Sequence, residues 1–432
     1  MKTVKKLSVL GVIVFLLCSV GGVAAQSGVD PGTGKANIFI QNISQTGQSA
    51  DIALEYTRQQ GVTVAPTSFT ENITGLGPGA AKYLLYTNGW QEPPPATTVP
   101  DGWAGSVLVS SSQPLAAIVN LFWDGTASAA TYPGVDSVSH DVYLPNLLVR
   151  SGRLTRVYIQ NAESSQCTDV TLKYYDRDGA LKKTSTKTIP ANTQITLDLS
   201  VENPDFSATA GTGSLHIHSN SCNLAAVASI HYPSRDTGGS AAYRGFTGGE
   251  TKVWFPSEFR RQSSGVWTLY NATIVQNLGS IDAQVTVHFI GKGSSVTKTV
   301  NDTIKAKASN GYNMITQGTA SSAVWAVIQS LGTNWVGTIM VESTNSQPLA
   351  GVGLYFSLSN VPDVMGYESI GDSTASNRLY SPAVYRKYIG ASSDQWSTTL
   401  VQNLAASAVN IQVDFFNSDG SHATGPYTVN LP

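Results

Sequence analysis

The stretch "LHIHS" places His216 and His218 two residues apart, and His231 follows on the next apolar run. Two imidazoles at i and i+2 on a strand share a face and can share a metal ion. Leu215 and Ile217 set the alternation here, so both histidines face away from the core. We read them as a surface pair and assign no metal site and no cofactor. Cys167 and Cys222 form the second candidate pair. Exported chains meet an oxidising environment, where two such thiols form a disulfide, here contributing about 3–4 kcal/mol on the chain-entropy model.

Other chemistry is thinner. "GTGK" at 32–35 lacks the earlier Gly and the following Ser/Thr of a phosphate loop, and it leads into a strand rather than a helix. No Ser-His-Asp order, nucleophile elbow or carboxylate pair stands out, so no catalytic residue is assigned and the chain reads as a non-enzyme. Trp90, in the Pro-rich loop "TNGWQEPPPATTVPDGW", is the candidate ligand contact, and a glycan is the ligand such an aromatic suits. Trp103 and Trp335 occupy equivalent places in repeated segments and read as packing residues. Asn42, Asn72, Asn271 and Asn301 stand in Asn-x-Ser/Thr sequons.

Charged residues make up 12% of the chain and nearly cancel at −2, which argues against a basic nucleic-acid groove. The N-terminus has Lys2, Lys5 and Lys6, an apolar run from Leu7 to Leu17, and small residues to Ala25. That is the plan of a secretory signal cleaved after Val23-Ala24-Ala25. The mature chain is then secreted or held at the cell surface, with no membrane span of its own.

The elements that must position these residues show a long period. Gln-Asn recurs at Gln41-Asn42, Gln160-Asn161, Gln276-Asn277 and Gln402-Asn403, each between two alternating runs. In the second runs Ile52/Leu54/Tyr56, Val170/Leu172/Tyr174, Val285/Val287/Phe289 and Ile411/Val413/Phe415 are predicted to point inward. "SQPLA" occurs at 112–116 and again at 346–350, read as a corner between two strands whose proline suits a turn. "VYLPNLLVR", "VWFPSEFRR" and "LYSPAVYRK" are read as first strands, held at a sheet edge by proline. The expected layout is a signal peptide at 1–25, β-sandwich modules at 27–140, 141–250 and 251–378, and a partial module at 379–432.

The pattern of "VQNLGSIDAQVTVHF", a Gly-rich turn, "G(S/T)-x-x-V" and "QPLA" resembles the tandem immunoglobulin-like or fibronectin type III-like modules of bacterial secreted and cell-surface proteins. The resemblance implies an all-β tandem array of antiparallel immunoglobulin-like β-sandwiches, the last one incomplete, with no shared catalytic residue. The Cys…Trp…Cys spacing of true immunoglobulin domains is absent, so only the sandwich is implied. The expected role is a stalk-like structural or adhesive protein whose partners are other copies of itself or cell-envelope or extracellular-matrix components. Two alternatives remain: a filament subunit completed by strand exchange, or the non-catalytic region of a larger secreted enzyme. The partial module fits a sequence that continues beyond Pro432, or an open sandwich completed by a neighbour's strand.

Overall fold

The computed structural model describes residues 13–17, 34–85, 99–123, 128–150, 152–232, 238–293, 297–358, 363–384, 386–388, 394–405 and 407–432, with 13–17, 85, 386–388 and 394–396 as backbone only. The fold is all-β; among the described residues every paired strand is antiparallel and there are two short α-helices, Leu199–Glu202 and Ser322–Ser330. No helix among the described residues is long and apolar enough to cross a membrane.

In the first sandwich one sheet runs Gly105–Ser111, Ala50–Arg58, Ser68–Leu76, with Ile13–Leu17 of the expected leader paired along its Gly105–Ser111 edge, and the other runs Ala81–Leu85, Gly34–Asn42, Leu115–Trp123, Ser128–Pro133. In the second, hydrogen bonding runs continuously through Leu181–Ile189, Cys167–Asp176, Thr212–His218, Asp141–Arg150, Arg153–Asn161, Leu224–His231 and Ser240–Arg244. The third follows the same order through Thr297–Ile304, Ala283–Gly291, Asn334–Ser343, Lys252–Ser263, Val266–Asn277, Leu349–Ser357 and Asp363–Glu368. The runs expected to point inward are buried in all three: Ile52, Leu54 and Tyr56, then Val170, Leu172 and Tyr174, then Val285, Val287 and Phe289. Period-two alternation suffices here, because each of these strands covers one core with one face.

Asp141–Arg150 and Lys252–Ser263 correct one expectation. Neither lies at an edge: Asp141–Arg150 sits between Thr212–His218 and Arg153–Asn161 and passes from one layer to the other. The ladder shifts register between Leu144 and Leu147, and again between Phe255 and Glu258, around Pro145 and Pro256. A bulge leaves an unpaired residue, so a proline without an N–H fits inside the sheet. "LYSPAVYRK" does not form such a strand: 379–384 is irregular, and only Arg386–Tyr388 pairs, with Asp394–Trp396.

The Gln-Asn motif has a mechanical explanation. Asn161 Nδ2 donates to the carbonyls of Ser165, Ile189 and Pro190 at 2.7, 3.2 and 3.1 Å, and its Oδ1 accepts from Glu163 N at 2.9 Å. Asn277 makes the same set with Ile281, Ile304, Lys305 and Gly279, and Asn42 reaches Gln48, Leu76 and Ser44. Asn403 repeats it with Ser407, Pro432 and Ala405. An Asn amide has both donors and an acceptor, so one side chain satisfies a tight turn and the crossing strand together. "SQPLA" falls at strand corners, between Gly105–Ser111 and Leu115–Trp123 and between Asn334–Ser343 and Leu349–Ser357.

The sandwiches meet through buried side chains. Tyr158, Ala225, Val227 and Ala242 of the second extend the core of the first, while Ile274, Val352, Leu354, Phe356 and Val364 of the third extend the core of the second. Leu224–His231 is therefore buried at every residue. The last strands of the three, Ser128–Pro133, Ser240–Arg244 and Asp363–Glu368, lie against one another. In the C-terminal hairpin Val409–Phe416/His422–Leu431, by contrast, Phe415, Phe416, Tyr427 and Val429 are exposed.

Candidate metal centre

The outer face of the second sandwich gathers three ligand-type side chains. Antiparallel register sets His218 opposite Asp141 and His216 opposite Tyr143, and Lys173 stands opposite His216 on its other side. Leu215 and Ile217, between and beside the histidines, are fully buried. Asp141 Oδ1 lies 2.7 Å from His216 Nε2 and 2.8 Å from His218 Nδ1, so both imidazoles converge on one carboxylate oxygen. The three donor atoms lie within 4.8 Å of one another. Side-chain exposures of 14% for His216, 32% for His218 and 39% for Asp141 put the cluster at the surface, open to water on one side.

Each ring has a second restraint. His216 stacks on Tyr143 with centroids 4.4 Å apart and planes 8° from parallel. His218 Nε2 lies 3.2 Å from Asn220 Oδ1. The turn carrying Asn220 is tied down twice. Asp169 accepts from Ser219 Oγ at 2.7 Å, Asn220 N at 2.8 Å and Ser221 Oγ at 2.8 Å. Those hydrogen bonds, that of Ser219 foremost, hold its carboxyl down at about 2. Next to it the Cys167–Cys222 disulfide, with Cα atoms 6.0 Å apart, joins this turn to the start of the strand that carries Lys173.

Electrostatics favour a neutral ring at His216. Burial pushes its pKa below the usual histidine value, Lys307 and Lys173 add to that, and Asp141 opposes it. Burial would raise Asp141, but the hydrogen bonds with His216 and His218 outweigh it, and its pKa is lowered.

His231 is not part of this cluster. It lies on Leu224–His231, which pairs with Arg153–Asn161 and Ser240–Arg244, away from Thr212–His218. It is fully buried between Ser229 Oγ at 3.0 Å and Ser240 Oγ at 2.8 Å, edge-on to Trp123 at 4.5 Å. Burial drives its pKa down to about 3, so it is a neutral core histidine.

The remaining sequence candidates separate by burial. Trp90 lies outside the described residues. Trp103 is buried and donates from Nε1 to Pro66 O at 2.8 Å, and Trp335 packs edge-on to Phe289 at 6.4 Å. Asn42 and Asn271 are fully buried, so these two sequons cannot take a glycan as folded; Asn72 and Asn301 are exposed on strands. Gly34 and Lys35 of "GTGK" open the strand Gly34–Asn42.

Two polar residues escaped the sequence reading. Asp141 begins a strand, and the residue it faces, His218, is 77 residues away, so pattern alone gives no register. Glu258 faces Gly337 as the buried Leu147 faces Gly213, and is itself fully buried. Its Oε1 accepts from Thr273 Oγ1 at 2.6 Å and Tyr367 OH at 2.9 Å, while burial pushes the carboxyl up to about 8.

No protein-family model matches this chain, and no curated protein matches it. Among solved structures it is similar to one described as the crystal structure of Thermotoga maritima 1070, at 16% identity over 29% of this chain and 96% of that chain, with a TM-score of 0.23. A likeness at that score carries no argument about fold or function.

Proposed function

We propose that this chain is an exported, non-enzymatic structural or adhesive protein of the cell surface, built from packed immunoglobulin-like sandwiches. The observation that carries the reading is the continuity of the cores across neighbouring sandwiches, through Tyr158, Ala225 and Val227 on one seam and Val352, Leu354 and Phe356 on the next. Apolar burial on both faces of a sheet couples the units, so load applied at one is carried into the next. The disulfide, and the lack of a long apolar helix among the described residues, are compatible with an extracellular setting.

The test is export and binding. Expressed with its own leader in a secreting bacterial host, the protein should leave the cytoplasm with a new N-terminus at Gln26. The purified product should bind isolated cell envelopes or matrix-coated surfaces in a saturable way. An intact leader with the protein retained in the cytoplasm would overturn the export half, and unsaturable binding to every surface would overturn the adhesive half.

One observation favours a filament subunit as the second reading. The C-terminal hairpin exposes Phe415, Phe416, Tyr427 and Val429, an apolar set large enough to attract another strand. Light scattering on size-exclusion fractions of 26–432, beside a form ending at Asn377, separates the readings. Ordered assemblies from the longer form alone would support strand exchange.

A further inference from the structure

The geometry points to a divalent transition-metal site of the Zn2+ class at Asp141, His216 and His218, with water completing the coordination on the solvent side. This inference is independent of the structural role proposed above and holds whether or not the protein is exported.

The donor set is two imidazole nitrogens and one carboxylate oxygen, which suits borderline ions such as Zn2+, Co2+ and Ni2+ better than Ca2+ or Mg2+, which prefer oxygen alone. Ligands about 2.0–2.2 Å from a tetrahedral Zn2+ are roughly 3.3 Å apart. The observed 2.7 and 2.8 Å separations need open by only about half an ångström, within reach of side-chain rotation at this partly exposed face. The two histidines, two residues apart on one strand, and Asp141, directly across from His218, are held by backbone register rather than by a loop.

The surrounding residues act as an outer shell. A His218 Nε2–H aimed at Asn220 Oδ1 leaves Nδ1 as the nitrogen that faces Asp141. A neutral ring held that way turns its Nδ1 lone pair toward the site, the form that ligates a metal ion. Tyr143 fixes the plane of His216, and Asp169 with the disulfide fixes the turn that holds Asn220. Among the described residues the third sandwich has no such set. At the matching register Lys252 faces Glu342 at 3.6 Å and Trp254 faces Met340, an ordinary cross-strand ion pair.

Bound metal would tie the first residue of Asp141–Arg150 to Thr212–His218. Both strands belong to the second sandwich, so the ion would staple its first strand to a neighbour in the same sheet, at the point where the chain enters it.

The experiment is a Co2+ titration of the tag-free mature chain, read by visible absorption, with Zn2+ competition and X-ray absorption at the metal edge. The expected result is one Co2+ per chain, a ligand-field band, displacement by Zn2+ but not by excess Mg2+ or Ca2+, and a first shell with two imidazoles. The double variant His216→Gln/His218→Gln should lose the band. Asn220→Ala should weaken binding by about tenfold or more, whereas His288→Gln/His422→Gln should leave the stoichiometry unchanged. No saturable band, or a shell with fewer than two imidazoles in the unmodified protein, would overturn the site even if the variants fail to fold. Undiminished binding by a folded His216→Gln/His218→Gln protein would overturn it as well.

Discussion

At the residue scale, the buried polar groups carry the sharpest consequences. Glu258 is fully buried and its carboxyl is pushed up to about 8, against about 4.3 in an unfolded chain. The folded state therefore holds a proton that the unfolded state releases. Its contribution is fully present below about pH 4 and is lost as pH rises to about 8, a swing on the order of a few kcal/mol. Urea denaturation at pH 5 and pH 8 should show the native protein less stable at the higher pH, with the gap narrowed in Glu258→Gln. An equal gap in both proteins would remove Glu258 as the cause. Asn277 is a second such residue: its amide donates to three carbonyls and accepts one N–H, all in a buried corner. Asn277→Ala leaves those groups unpaired and should cost about 2–4 kcal/mol by chemical denaturation, with Asn161→Ala similar.

At the element scale, glycine and cystine decide how strands meet. A Cβ on Gly337 would lie 2.1 Å from Ile290 O and 2.5 Å from the Trp335 ring, and one on Gly105 would lie 2.2 Å both from Thr57 O and from the Trp103 ring. The aromatic two residues earlier thus lies over bare backbone in both sandwiches. In the second, the ring over Gly213 comes instead from Phe206, 2.5 Å from its added Cβ. Gly337→Ala should therefore destabilise the third sandwich by about 2–4 kcal/mol, seen as a lower Tm together with a changed Trp335 fluorescence. The disulfide acts on a longer reach, joining residues 55 apart. Cys167→Ser/Cys222→Ser should cost about 3–4 kcal/mol, and reductant should lower the Tm of the native protein but not of this variant.

At the scale of the whole molecule, a similar contact recurs at three seams. Ser309 N donates to Arg177 O at 2.9 Å, Gln60 N to Gln194 O at 3.0 Å, and Ala81 N to Ser418 O at 3.0 Å. Each joins the turn of a strand hairpin to the loop around a left-handed residue: Lys307, Asn192 and Gly79 have φ of 62°, 54° and 75°. The C-terminal hairpin thus meets the first sandwich much as the second meets the third. Gly179, at φ +87°, sits in one of these turns, and a Cβ there would lie 2.3 Å from Ala306 O. Gly179→Ala should loosen the seam by about 1–3 kcal/mol. Hydrogen exchange at the Ser309 amide should speed up while exchange in Val170–Tyr174 stays slow. Uniform acceleration across both would show that the two sandwiches unfold together and that the seam is no separate unit.

The sequence by itself determined what depends on local pattern and covalent chemistry. Alternation marked the inward faces of Ile52–Tyr56, Val170–Tyr174 and Val285–Phe289, the proline corners marked strand ends, and Leu215 and Ile217 turned His216 and His218 outward. The Cys pair was legible because only two cysteines lie beyond residue 25. Tertiary structure decided what depends on register and on what covers a second face. Asp141 joins the histidines only because antiparallel pairing sets it opposite His218, and no spacing in the chain encodes that alignment. Pro145 and Pro256 sit inside a sheet because bulges absorb them. Leu224–His231 is buried throughout, although half of it alternates outward, because a neighbouring sandwich covers that face. Glu258 is buried for a related reason: it takes a core position that Leu147 fills in the second sandwich, and a sequence pattern records residue type but not the neighbours that exclude water from it.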